Sequence, residues 1–363
     1  MRTIRLSSCV IAGLLLSMSA AFGAEWGLKE GAAELKSAGP IAFGPDGILF
    51  VGDAKGATVF AIGTGDTKGN PTKIDLNISG LNSKVAEVLG TNADKITIND
   101  LAVNPLTGNV FLSVTKAGSA ALVKISADGK LSQVGLQKVP MQKIELKNAP
   151  EDKEVATKRG PANLRNSSIT DLAYAEGKVY VSGVASGSPS NVREMPFPFT
   201  DVNAGTSVEI FHGAHGRLED NAVVRTFLPI NIDGEASLLA GFTCTPLVKF
   251  PVNALKPGEK TRGTTVAELG NRNQPLDMIV YEKDGKTFLL MANSARGVMK
   301  ITTEGITKNT GITEPVKTTT AGQAYETIKE LEGVVQLDKL NSTHAVIVTS
   351  ANGSMDLRTI ALP

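Results

Sequence analysis

A short apolar strand, a turn, a second apolar strand, a loop and a third strand recur six times along this chain. No other feature limits the available folds as strongly. The first copy runs from IAF (41–43) through the turn Gly44-Pro45-Asp46-Gly47 to ILFVGD and ATVFAI. The second opens at Asn99-Asp100 in NDLAV, turns between Asn104 and Asn109, and continues as FLSV and ALVKI. The third begins with DLAY at Asp171, continues as VYVSG, and after a long excursion from Val184 to Thr206 returns as SVEIF. SLLAGFT and LVKFPV mark the fourth, whose first strand is the least distinct. DMIVY at Asp277, FLLMAN and VMKI make the fifth, and VVQL, AVIVTS and MDLRTIAL the sixth.

Short β-branched strands bounded by turns such as Glu176-Gly177-Lys178 and Asp284-Gly285-Lys286 read as meandering antiparallel hairpins. A four-stranded sheet built this way is apolar on both faces and cannot bury them alone, so radial stacking is the economical solution. The expectation is an all-β chain closed into a single six-bladed β-propeller, with short helical insertions between blades. A two-sheet sandwich also uses many short strands, but it does not require one unit repeated six times. Helical spacing appears at Leu81–Leu89 and again at Gln323–Leu331. The charged stretch from Lys153 to Arg165 reads as a solvated connection. The chain ends about one strand short of a complete sixth blade, and Ala33–Ala38 is the candidate for the missing outer strand.

Residues 1–23 carry Arg2 and Arg5, an apolar run from Val10 to Leu16, and small residues at Ala21 and Gly23. That is the build of a secretory signal peptide, so residues 24–363 are expected to form one exported domain, periplasmic or secreted. Cys9 precedes the end of the apolar run, which leaves Cys244 as the single cysteine of the mature chain and excludes an internal disulfide. No later segment is apolar for long enough to span a bilayer. With 37 basic and 36 acidic residues, the chain lacks the basic excess that nucleic acid or an anionic membrane selects.

The repeats resemble those of the NHL, YVTN and gluconolactonase-type six-bladed propellers over most of the mature chain. In lactonases of the regucalcin and gluconolactonase type, a Glu, two Asn and an Asp at the starts of inner strands hold a divalent metal. The resemblance places Asn99-Asp100 and Asp277 at two such positions. Gly39-Pro40 stands where the first-blade Glu is expected, and Thr170-Asp171 where a middle-blade Asn is expected. The family's catalytic set therefore does not transfer.

If Asp100, Asp171 and Asp277 begin innermost strands, their carboxylates face the mouth of the central channel. With Asn99 they could hold Ca²⁺ or another divalent cation, or act as acid and base. Equally, each could cap neighbouring backbone N–H groups across blades. Loops on the same top face contribute Asp53, Lys116, Arg193, Cys244, Asn293, Arg296 and Asn352, which together form a candidate funnel for a polar ligand. Each alone also reads as ordinary surface.

Cys244 reads either as a nucleophile or as a small hydrophobe beside Phe242 and Pro246, and no histidine falls where it could activate the thiol. His212 and His215, in FHGAHG, align with a bottom-face turn of the third blade, and His344 with one of the sixth. On that placement they are too few for a zinc site and too far from the acidic mouth. The run MPFPF (195–199) reads as a top-rim lid or docking patch, or as packing on the third and fourth blades. No CxxCH, phosphate loop, GxSxG or HExxH is present. The leading functional expectation is a non-enzymatic propeller that binds a small polar ligand or another exported protein at its top funnel. Alternatives are a metal-dependent lactonase-like hydrolase and an accessory of a periplasmic redox enzyme.

Overall fold

A computed structural model of the protein describes residues 26–157 and 160–363. The signal segment lies outside the described residues. Six sheets surround a common axis, each led by one inner strand and antiparallel throughout except where Lys260–Arg262 joins the third in parallel. These are Ile41–Phe43, Ile96–Val103, Asp171–Ala175, Val224–Ile232, Pro275–Lys283 and Val334–Lys339, which head the first to sixth blades. The molecule is a six-bladed β-propeller with blades of four or more strands. Its first and second strands are joined in three blades by a two-residue turn. At Glu176-Gly177 and Asp284-Gly285 both turn residues have positive φ, so the glycine fills a position where a Cβ would be strained.

Blade order around the ring differs from order along the chain. The inner strands make contact in the sequence sixth, second, first, third, fourth, fifth and back to sixth. Six apolar clusters confirm this, one at each junction. Ile48 and Phe50 of the first blade pack with Leu172 and Val181 of the third, while Leu49 and Phe60 on its other face pack with Phe111 and Leu122 of the second. Burial on both faces explains why these strands are almost continuously apolar.

Two crossings produce this order. After Thr58–Gly63 the chain leaves the first blade and adds Asn77–Ile78 to the outer edge of the sixth, against Ser354–Ala361. It then forms helix α1 (Leu81–Leu89), which buries Leu81, Val85, Ala86 and Leu89, and builds the second blade. Val139–Glu145 returns to pair with Thr58–Gly63 as the fourth strand of the first blade. The sixth blade is thus completed by residues 77–78, not by Ala33–Ala38. The latter segment is not a strand, because the Asp53 carboxylate takes the N–H groups of Lys36 and Ser37.

Two other expectations are corrected, while the charged connection after Lys153 is largely exposed as read but has strand structure of its own. Gln323–Leu331 is not helical: Tyr325–Ile328 is the outer strand of the fifth blade, paired with Gly297–Thr302 and followed by one 3-10 turn. Pairing overrides the helical spacing there. The charged stretch after Lys153 forms a hairpin of Glu154–Thr157 with Gly160–Asn163. In the third blade the supposed excursion contains a strand, Ser188–Pro196, paired with Lys178–Ala185. SVEIF, within Thr206–His212, is therefore the fourth strand. That one-strand difference moves MPFPF to the bottom and His212 to the top. Phe197 and Phe199 are buried among Phe50, Tyr174 and Trp26 between the first and third blades. They pack into the core between the first and third blades rather than forming a top-rim lid.

Candidate functional site

Four aspartates of the inner strands, Asp100, Asp171, Asp277 and Asp338, lie along the axial channel, a cavity of about 570 Å³ that also opens past Pro105 and Asn341. Each carboxylate accepts the N–H of the next residue with one oxygen and a backbone N–H of a neighbouring blade with the other. Asp100 Oδ2 accepts from Ile41 at 2.7 Å, Asp171 Oδ2 from Phe227 at 2.7 Å, and Asp277 Oδ2 from Leu337 at 2.8 Å. Asp338, absent from the sequence-derived set, accepts from Val103 at 2.7 Å. All four reach the same way around the ring, as staples between blades.

Deep placement around a narrow channel favours the neutral acid at each of these positions. Burial pushes Asp171 up to about 7 against the donation of Phe227 and Leu172, and Asp338 up to about 6. Asp100 and Asp277 also lie well above the ordinary carboxylate range, through burial and mutual repulsion with the other channel acids.

The other residues of the expected funnel are distributed through the blades. Asn99 donates to the Ala38 carbonyl and to Thr115 Oγ1. Asp53 is buried and binds the backbone of Lys36, Ser37 and Gly56. Asn293 is buried against Asn273, and Arg296 donates to the Asn271 carbonyl. Arg193 is 0% exposed. It donates to the Lys147 carbonyl, and desolvation pushes its guanidinium down to about 10.

Of this set, Cys244 alone lines a top-face cavity of about 980 Å³, larger than the axial channel. The cavity lies between the third and fourth blades beside the 154–163 hairpin, with Val184, Ala222 and Val223 as apolar wall and Lys153, Arg217 and Arg225 as cationic groups. The chain places the cavity's reactive groups through two turns. At the end of Thr206–His212 a tight turn, His212-Gly213-Ala214-His215, is closed by the His215 N–H on the His212 carbonyl at 3.0 Å. Glu268 of the fourth blade accepts the Gly213 N–H. The second turn joins the second and third strands of the fourth blade and carries Cys244 and Thr245, both with positive φ (68° and 59°). Two successive left-handed residues without a glycine are strained, and the turn is held by Cys244 N–H on the Asn273 carbonyl and Thr245 Oγ1 on that of Gly270.

These turns bring His212, His215 and Cys244 together, with one ligand atom from each within 4.8 Å of the others. It is the only such group of three metal-capable side chains among the described residues, and the channel acids form none. Glu219 binds both imidazoles, at 2.8 Å from His212 Nδ1 and 2.8 Å from His215 Nδ1, and also accepts from Arg217 Nε at 3.0 Å. Burial alone would raise Glu219, but these three donors hold it down to about 2. Desolvation lowers His212 and favours its neutral form. Its Nε2 is buried without a hydrogen-bond partner.

No protein-family model matches the chain, and no curated protein matches it in sequence. Solved structures match it only distantly. One is the PQQ-bound aldose sugar dehydrogenase of Streptomyces coelicolor, at 13% identity over 92% of this chain and 96% of that one, with a TM-score of 0.36. A chain of a mitotic checkpoint complex matches at 8% identity over 99% of both chains, TM-score 0.41. Streptogramin B lyase matches at 9% identity over 92% of this chain and 97% of that one, TM-score 0.35. No residue or activity is carried over from likeness of this depth.

Proposed function

We propose that this is an exported binding propeller that takes a small polar ligand in the top cavity between the third and fourth blades. The observation that carries the reading is the cavity itself: about 980 Å³ with a partly apolar wall and cationic side chains, the mix that encloses and orients a small molecule. The lining carries charge of both signs, with Glu151 paired to Lys153 and Glu219 to Arg217, which suits a polar ligand able to both donate and accept hydrogen bonds. We favour binding over hydrolysis at the axis because both oxygens of each channel carboxylate are committed to backbone N–H groups.

Thermal melts with a panel of small carboxylates, sulfonates and sugar phosphates test this. A ligand at about 100 times its Kd adds about 2.7 kcal/mol to the unfolding free energy and raises the Tm by several degrees. Ser186 is an exposed residue of the cavity wall. In Ser186→Trp the indole occupies the cavity, so the ligand should no longer raise the Tm. An undiminished rise in that variant would place binding elsewhere and sink the reading.

Export rests on residues 1–23 and has its own check. The N-terminus of protein recovered from outside the cytoplasm should begin at Ala24. Recovery with Met1 intact would count against it.

A further inference from the structure

We propose that His212, His215 and Cys244 bind one transition-metal ion of the zinc(II) kind, with its open coordination position facing the top cavity. The proposal is independent of the small-ligand reading, since either could fail alone. Glu219 occupies Nδ1 of both rings, which leaves each Nε2 to ligate. Nε2 of His212, a residue only 2% exposed, has no hydrogen-bond partner. A buried ring nitrogen without a partner is costly, and a metal ion is one of the few occupants that would satisfy it.

Distances and ligand types agree. Zinc binds imidazole at about 2.0–2.1 Å and thiolate at about 2.3 Å, which places neighbouring ligand atoms about 3.4–3.7 Å apart in a tetrahedron. One ring nitrogen of each histidine and Cys244 Sγ lie within 4.8 Å of one another, so closing on those values takes side-chain adjustment of about an ångström or more. A carboxylate on the far nitrogen of each ring is the arrangement that fixes imidazole orientation in metal sites and raises its basicity. Here one carboxylate serves both rings. The strained Cys244-Thr245 turn directs the thiol to the same point. Nitrogen and sulfur donors select zinc or copper over calcium or magnesium. Three protein ligands leave a fourth position for water or an anion from the cavity.

The test uses the full chain, freed of metal with a chelator and titrated separately with Zn(II), Co(II) and Ca(II). We expect one Zn(II) or Co(II) per chain, no stoichiometric Ca(II), and a Co(II) spectrum with four-coordinate d–d bands and a thiolate-to-metal charge-transfer band. Cys244→Ser should lose the charge-transfer band. His215→Ala, at a partly exposed position, should weaken binding at least tenfold, and Glu219→Gln should weaken it about 10- to 100-fold. Melting of each metal-free variant checks that it folds. Absence of stoichiometric binding, or binding that folded Cys244→Ser and His215→Ala leave unchanged, would overturn the proposal.

Discussion

Replacing Phe50 by alanine should lower the unfolding free energy by about 3–5 kcal/mol, measured as a lower denaturant midpoint. Phe50 is 0% exposed. Its ring stands 5.6 Å from Tyr174, 4.8 Å from Phe197 and 6.0 Å from Phe199, centroid to centroid. The partners all belong to the third blade or the bottom turn that follows its third strand, so truncation opens a cavity at one junction of the ring. The same site tests blade order. In a double-mutant cycle of Phe50→Leu and Phe197→Leu, the edge-to-face pair should give a coupling of about 0.5–1.5 kcal/mol. Additive effects would mean that the first and third blades are not neighbours.

That junction also marks where reading the sequence stops. Strands and turns are legible because turn glycines and β-branched runs act locally, within a few residues. Ring order is not: a strand apolar on both faces packs equally well against any other such strand, and nothing in Leu49-Phe50-Val51 names its neighbour. The strand Ser188–Pro196 is hidden because SPSNVREMP carries serines, an asparagine and an arginine, although Arg193 is buried there. Missing it shifts every later element of the third blade by one strand, and each shift exchanges top for bottom. His212 and His215 are thereby sent to the wrong face, away from Cys244, whose turn is correctly read as a top loop. The usable signal was the alternation in TSVEIFH: once taken as the fourth strand, it delivers HGAH to the top beside that turn. Asp338 escapes for a related reason. Asp100, Asp171 and Asp277 each precede an apolar pair, whereas Asp338 is followed by Lys339 at the end of its strand.

The channel acids give the second large effect, a protein more stable at pH 5 than at pH 8. Their folded-state pKa values are raised above the 3.8 of an ordinary Asp, to about 7 for Asp171 and about 6 for Asp338. The folded chain therefore binds more protons than the unfolded chain between about pH 4 and pH 7, and stability falls as pH rises through that window. Moving one carboxyl from 3.8 to about 7 corresponds to about 4 kcal/mol at most. Asp171 is only half-buried along the channel, which lowers this, and about 1–2 kcal/mol from it is expected. Asp100 and Asp277 add to the trend by repelling one another and their acidic neighbours, while Lys339 beside Asp338 opposes it. Asp66 also opposes it at low pH. Burial would raise that group, but Lys124, Thr107, Asn109 and Asn104 hold it below its ordinary value, so its contribution is lost as the pH falls below about 4. Glu268, raised by burial to about 7, adds to the trend, and His212, lowered by desolvation, opposes it below about pH 6.5, so maximum stability should lie on the acidic side of neutrality. Asp171→Asn keeps one acceptor for the Phe227 N–H and removes the titration, so its difference in Tm between pH 5 and pH 8 should be smaller than that of the parent. Calorimetry at the two pH values decides, and a parent Tm higher at pH 8 would show that these acids are ionised in the folded ring.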